Sequence, residues 1–132
     1  MMMPLTLPKE ERLCSKKLIE QLFASAKSHS ATAFPLRAVA LPAEGVVEGV
    51  AVQVMVSVPK RYFKRAVHRN RIKRQVREAY RKNKHLVVQP MESRHPGETL
   101  CMAFVWIDAK EHSTEWVERK VVQLLTRIGE KL

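Results

Sequence analysis

The clearest pattern in the chain is an alternation between Val50 and Val58. Val50, Val52, Val54, Val56 and Val58 fall on one side, and Ala51, Gln53, Met55 and Ser57 fall on the other. Period two with a β-branched residue at every second position predicts a strand, which Pro59 ends. A second strand is predicted over Phe34 to Leu41, with Pro35 marking an edge or an irregular start. Pro42 to Gly49, with Gly45 and two glutamates, reads as a turn. Leu100 to Ile107 is apolar throughout and of strand length, which suits a buried central strand.

Helical spacing appears three times. Leu18, Ile19, Leu22, Phe23 and Ala26 form one apolar face, and Ser15 can cap its start, so a helix is predicted from Ser15 to Ala26. Ile72, Val76, Ala79 and Tyr80 form a narrow apolar stripe on a helix of about 66 to 83. Trp116, Val117, Val121, Leu124, Leu125 and Ile128 give a third face, capped by Ser113 or Thr114 and ended by Gly129. Between these lie a loose arm over 1–12 and a polar connection over 27–32. A loop over 84–98 carries Pro90, Pro96 and Gly97, with a short extended piece over 86–89. One domain over 1–132 is expected, of α+β class: a small α/β sandwich with helices on a mixed sheet of about four strands.

Charge changes the picture. Residues 60–84 hold twelve Lys or Arg and one acid, Glu78, whereas the other 107 residues carry twelve of each sign and cancel. The net charge of +11 is therefore concentrated in one segment. A solvated face would normally mix signs. A membrane-surface helix would need Trp or Leu anchors, and here the apolar stripe is taken up by the sheet. A polyanion partner, nucleic acid first, is the reading that remains. Arginine outnumbers lysine between Arg65 and Arg81, which favours bidentate phosphate contacts and stacking on bases. Asn70, between Arg69 and Arg71, can both donate to and accept from a base edge or a 2′-hydroxyl.

Other chemistry is sparse. His29, His68, His85, His95 and His112 show no ligand spacing. Asp108, the one aspartate, sits near a strand end, and no paired carboxylates or nucleophile–base motif occur. Cys14 and Cys101 are far apart and read as reduced thiols of a cytoplasmic protein. The longest apolar run, Leu100 to Ile107, falls short of the roughly 20 residues that span a bilayer, so no membrane association is expected.

Three blocks carry a resemblance. Ser57-Val58-Pro59-Lys60-Arg61, then Lys64-Arg65-Ala66-Val67-His68-Arg69-Asn70-Arg71-Ile72-Lys73-Arg74, then Arg77-Glu78-Ala79-Tyr80-Arg81 closely resemble the signature of the bacterial ribonuclease P protein subunit. The likeness extends more weakly over 12–128. It implies a left-handed βαβ crossover through the basic helix, against the usual right-handed rule. It implies pairing with a catalytic RNA, and magnesium-dependent removal of the 5′ leader from precursor tRNA with Mg2+ held mainly by the RNA. Lys60, Arg61, Lys64, Arg65, Arg69, Asn70, Arg71, Lys73, Arg74, Arg77 and Arg81 become the RNA-binding set. Ile19, Phe23, Phe34 and Arg37 become a leader-binding cleft between the first helix and the sheet. The family often has aromatics where this chain has Ile19 and Arg37, and Gly where it has Ala26. The competing expectation is a structural RNA-binding protein such as a ribosomal protein. A DNA-binding basic helix would want a zipper or a helix-turn-helix context, and neither is present.

Overall fold

The structure is a computed structural model that describes residues 8–44 and 49–132. Within these residues four strands make one sheet in the order β1-β2-β4-β3: β1 His29–Ala33, β2 Leu36–Glu44, β3 Val52–Ser57 and β4 Glu98–Trp106. β2 runs antiparallel to β1 and β4, whereas β3 and β4 are parallel. Among the described residues four α-helices accompany it: α1 Lys16–Ala24, α2 Ala66–Asn83, α3 His85–Arg94 and α4 Thr114–Lys131.

The alternation of β4 sorts the core into two layers. Leu100, Met102, Phe104 and Trp106 face α2, α3 and α4, together with Val52, Val54, Val56 and Val58 of the β3 segment. Cys101 and Ala103 face α1, with Val39, Leu13 and Leu22. In the larger layer Tyr80 meets Phe104 edge to face at 6.3 Å. The chirality of an L-chain then gives the handedness of the crossover. Viewed from the α2 side with β4 pointing up, residues whose side chains face the viewer direct their N–H groups to the right. Leu100, one of these, donates to Ala51 O on the β3 side, so β3 lies to the right of β4. The chain travels from β3 leftwards through α2 and α3, so the crossover is left-handed, as the resemblance implied.

Several expectations need correction. The polar connection over 27–32 becomes strand β1, whose small residues Ala31 and Ala33 are buried while Ser30 and Thr32 are exposed. Its outward carbonyls are capped from α4: Arg127 Nη1 reaches Thr32 O and Lys131 Nζ reaches Ser30 O, both at 2.6 Å. Such capping blunts an open edge. β2 does not stop at Leu41. It continues through Pro42, paired with Leu100 beyond the last β1 pair at His29 and Ala40, where the missing N–H costs no ladder bond.

The segment expected as a loop over 84–98 holds helix α3, with Pro90 inside it. A proline leaves the carbonyl four residues earlier without its helical donor. That carbonyl, Leu86 O, is packed against Gly129 of α4, so Gly129 is a buried contact within the helix rather than its end. α1 ends at Ala24, two residues short of the expected Ala26. The arm over 1–12 is anchored over its last residues. Lys9–Glu11 form a 3-10 turn, Gln53 Nε2 donates to Glu10 O at 2.9 Å, and Arg12 bridges Val54 on the outer edge of β3. Residues 1–7 lie outside the described residues, as do 45–48 of the turn expected over 42–49.

Candidate nucleic-acid interface

The basic helix falls where the sequence predicted, and its cations divide by direction. Ile72, Val76, Ala79 and Tyr80 are buried and fasten α2 to the sheet. On the flank toward α4, acids meet the bases. Glu111 Oε2 lies 3.4 Å from His68 Nδ1, and Glu111 Oε1 lies 3.9 Å from Arg71 Nη1. Glu118 Oε1 lies 3.8 Å from Lys82 Nζ. Gln75 Nε2 pins the same flank by donating to His112 O and Thr114 Oγ1 at 3.1 and 3.2 Å.

Two members of the expected RNA-binding set are committed elsewhere. Arg81 grips Glu78 through two hydrogen bonds of 2.6 and 3.1 Å. Arg69 turns back on its own approach loop, with Nη1 donating to Phe63 O at 2.7 Å and Lys64 O at 2.9 Å. Each guanidinium is already partly engaged within the protein.

What remains is a continuous free set. Asn70, Lys73, Arg74 and Arg77 recur at spacings of three, one and three along one stripe of α2. None has an acidic partner among the described residues, and the same holds for Lys60, Arg61, Lys64 and Arg65 of the preceding loop. Burial, then the nearby Arg12 guanidinium, pushes the Arg77 pKa below its ordinary value. The crowding of like charge at the β3 edge adds to the positive field there. Arg65 occupies the N-cap without a side-chain cap bond, and the first turn of α2 holds no acid, so the helix dipole adds to the same field.

The expected leader-cleft residues lie toward the opposite layer. Ser15 caps α1, its hydroxyl accepting from Leu18 N at 3.4 Å. Leu18, Ile19 and Leu22 pack on Val39, Leu41, Met55, Cys101 and Ala103. The next row of the sheet is left uncovered: Thr32, Arg37, Val105 and Ser57 lie side by side across all four strands. Thr32 and Arg37 are exposed, and Ser57 and Val105 are half-buried. Phe34 stands in the β1–β2 turn beside this row and Phe23 on α1, one turn after Ile19, and both rings are exposed. The sequence singled out Arg37 but not Thr32, Ser57 or Val105. Their alternation was visible, but which alternate face stays open is set by how far α1 reaches.

The two surfaces meet at the loop between Pro59 and Arg65. There Arg61 stacks its guanidinium over Tyr62, 4.9 Å from the ring centroid. Among the described residues no group of three His, Cys, Asp or Glu is gathered that could hold a metal ion.

Comparison with known proteins bears on this arrangement. The family model described as Ribonuclease P matches residues 7–129. The chain belongs to the ribonuclease P protein family. Within that family it is 38% identical over 124 residues to a ribonuclease P protein component of Porphyromonas gingivalis, covering 93% of this chain and 86% of the relative. It is 31% identical over 128 residues to that of Chlorobium phaeobacteroides, covering 93% and 88%. The solved ribonuclease P protein of Thermotoga maritima superposes with a TM-score of 0.66 at 19% identity, covering 89% of this chain and 96% of that one. That likeness establishes the shared fold.

Proposed function

We propose that this chain is the protein subunit of a ribonuclease P ribonucleoprotein that removes the 5′ leader of precursor tRNA. In this reading the catalytic RNA docks on Asn70, Lys73, Arg74 and Arg77 and on the loop cations Lys60, Arg61, Lys64 and Arg65. Arg71, exposed and only loosely paired with Glu111, is able to join them. In this reading Arg69 and Arg81 contribute less directly, since Arg69 is tied to two loop carbonyls and Arg81 to Glu78.

The single-stranded leader lies along the uncovered row of the sheet. Phe23 and Phe34 serve as stacking platforms, and Arg37 takes a phosphate or stacks on a base, with Ile19 as an apolar wall. A groove that combines cations with aromatic faces holds single strands without demanding a sequence. Hydrolysis itself falls to the RNA and its magnesium ions, and the protein raises substrate affinity by holding both RNAs across one loop. Such a role puts the chain in the cytoplasm with its RNA partners. Among the described residues no helix is long and apolar enough to cross a membrane.

Family membership, together with the stripe of α2 cations that have no acidic partner among the described residues, is the observation that carries this reading. Reconstitution tests it. Adding the chain to a bacterial ribonuclease P RNA and a 5′-extended pre-tRNA at low magnesium should raise cleavage well above that of the RNA alone. RNA binding with no gain in cleavage would point to a structural RNA-binding protein instead.

A further inference from the structure

The loop from Pro59 to Arg65 carries four exposed cations and little regular structure. Its own backbone supplies one turn bond, from Tyr62 N to Pro59 O at 3.2 Å. Phe63 anchors its middle by packing against the large core layer, with its ring 6.4 Å from that of His68. Arg61 contacts its neighbour Tyr62 within the loop, and a tie from α2 comes from Arg69, one turn into that helix, whose Nη1 bonds the carbonyls of both Phe63 and Lys64. A guanidinium is well made for this task, because it stays charged and its planar fork loses little freedom on bonding. The two carbonyls it holds flank the Cα from which the Lys64 side chain departs, and Arg65 follows immediately.

We propose that Arg69 is a positioning residue. It fixes the Pro59–Arg65 loop so that Lys60, Arg61, Lys64 and Arg65 reach RNA together, and it is not itself a principal phosphate contact. The inference deepens the ribonuclease P reading and rests on it for the identity of the RNA. The arginine at the head of the Arg69-Asn70-Arg71 triplet then works through backbone carbonyls, whereas Asn70 and Arg74 work through open donors.

Hydrogen exchange on the free chain separates these roles. Arg69→Met should speed exchange of the Tyr62 amide, which the loop's turn bond to Pro59 O protects, about tenfold, as loss of a charge-assisted tether implies. Arg74→Met, which removes the same charge from an open position, should leave that amide unchanged. In affinity for a bacterial ribonuclease P RNA, Lys64→Ala should cost clearly less in the Arg69→Met background than in the wild type, because the cation is already misplaced. Unchanged loop exchange in Arg69→Met, or strict additivity with Lys64→Ala, overturns the proposal. If Arg69→Met does not fold, Arg69→Gln, polar but too short to reach the loop, is judged by the same two readouts. Exchange needs no RNA, so a failed reconstitution would sink the ribonuclease P reading while the loop measurement still decides whether Arg69 is a tether.

Discussion

Arg81 and Glu78 form a two-point ion pair on α2, with Nη2 to Oε1 at 2.6 Å and Nε to Oε2 at 3.1 Å. The hydrogen bond holds the Glu78 carboxyl below its ordinary pKa and raises that of Arg81. The one acid in the basic segment thus silences one particular arginine. Glu78→Gln should tighten RNA binding by releasing Arg81, and Arg81→Ala should weaken it less than Arg74→Ala does. Affinity for a ribonuclease P RNA at fixed salt checks both. An Arg81→Ala loss as large as that of Arg74→Ala would show that the pair opens on binding.

Arg74 carries an exposed guanidinium without an acidic partner among the described residues. Arg74→Ala should lower the slope of log affinity against log salt by about one, as loss of a single phosphate contact requires. Its urea midpoint should stay near the wild-type value, because the side chain is exposed. An unchanged slope would remove Arg74 from the interface.

Phe23 and Phe34 leave 47% and 55% of their surface open, a large exposure for apolar rings. Each Phe→Ala substitution should cost about 1–3 kcal/mol in binding leader-bearing pre-tRNA, the usual worth of a base stacked on an aromatic. Mature tRNA, which has no leader, should bind either variant as well as it binds the wild type. Equal losses for both RNAs would take that ring out of the leader site.

Gly129 sits where a Cβ would drive into the Leu86 carbonyl, which is backbone and cannot swing away. Gly129→Ala should destabilise the fold by about 1–3 kcal/mol through forced separation of α3 and α4. Urea unfolding would register this as a lower midpoint. Gly129 is buried against α3 and is not among the residues assigned to either RNA surface, so cleavage by the folded fraction should be preserved.

Asp108 Oδ2 and His112 Nε2 are 2.7 Å apart, and this hydrogen bond holds the Asp108 carboxyl below the usual aspartate pKa. A depressed carboxylate favours the folded state above its unfolded pKa, and the contribution fades as pH falls through the lower folded value. The stability gap between wild type and Asp108→Asn should therefore be constant above about pH 5 and shrink below about pH 4. Urea midpoints from pH 6 down to pH 2 give the comparison. A gap that widens in acid would mean another group is responsible.

Local patterning made much of the fold legible. The Val52-Val54-Val56 alternation, the apolar run of β4 and the stripe on α2 each declared both the element and its buried face. β1 and α3 escaped for opposite reasons. β1 buries only alanines, so its signal is small, and it becomes a strand because β2 offers an edge and α4 caps its carbonyls. α3 contains Pro90, a breaker by any local rule, and continues through it with the freed Leu86 carbonyl lodged against Gly129 of α4, a contact between helices that no local pattern announces.

The same division runs through the site. The sequence by itself determined that the charge is concentrated in residues 60–84, and that Ile72, Val76, Ala79 and Tyr80 point one edge of that helix inward. Composition and a 3.6-residue period are local properties. Only the tertiary structure decided which cations remain open. Glu111 and Glu118 reach α2 from elements distant in sequence, whereas Arg69 and Arg81 are bound by partners close to them whose geometry exists only once the loop and helix have formed. Pairing depends on distances of a few ångströms, and those are set by packing on the sheet rather than by order along the chain.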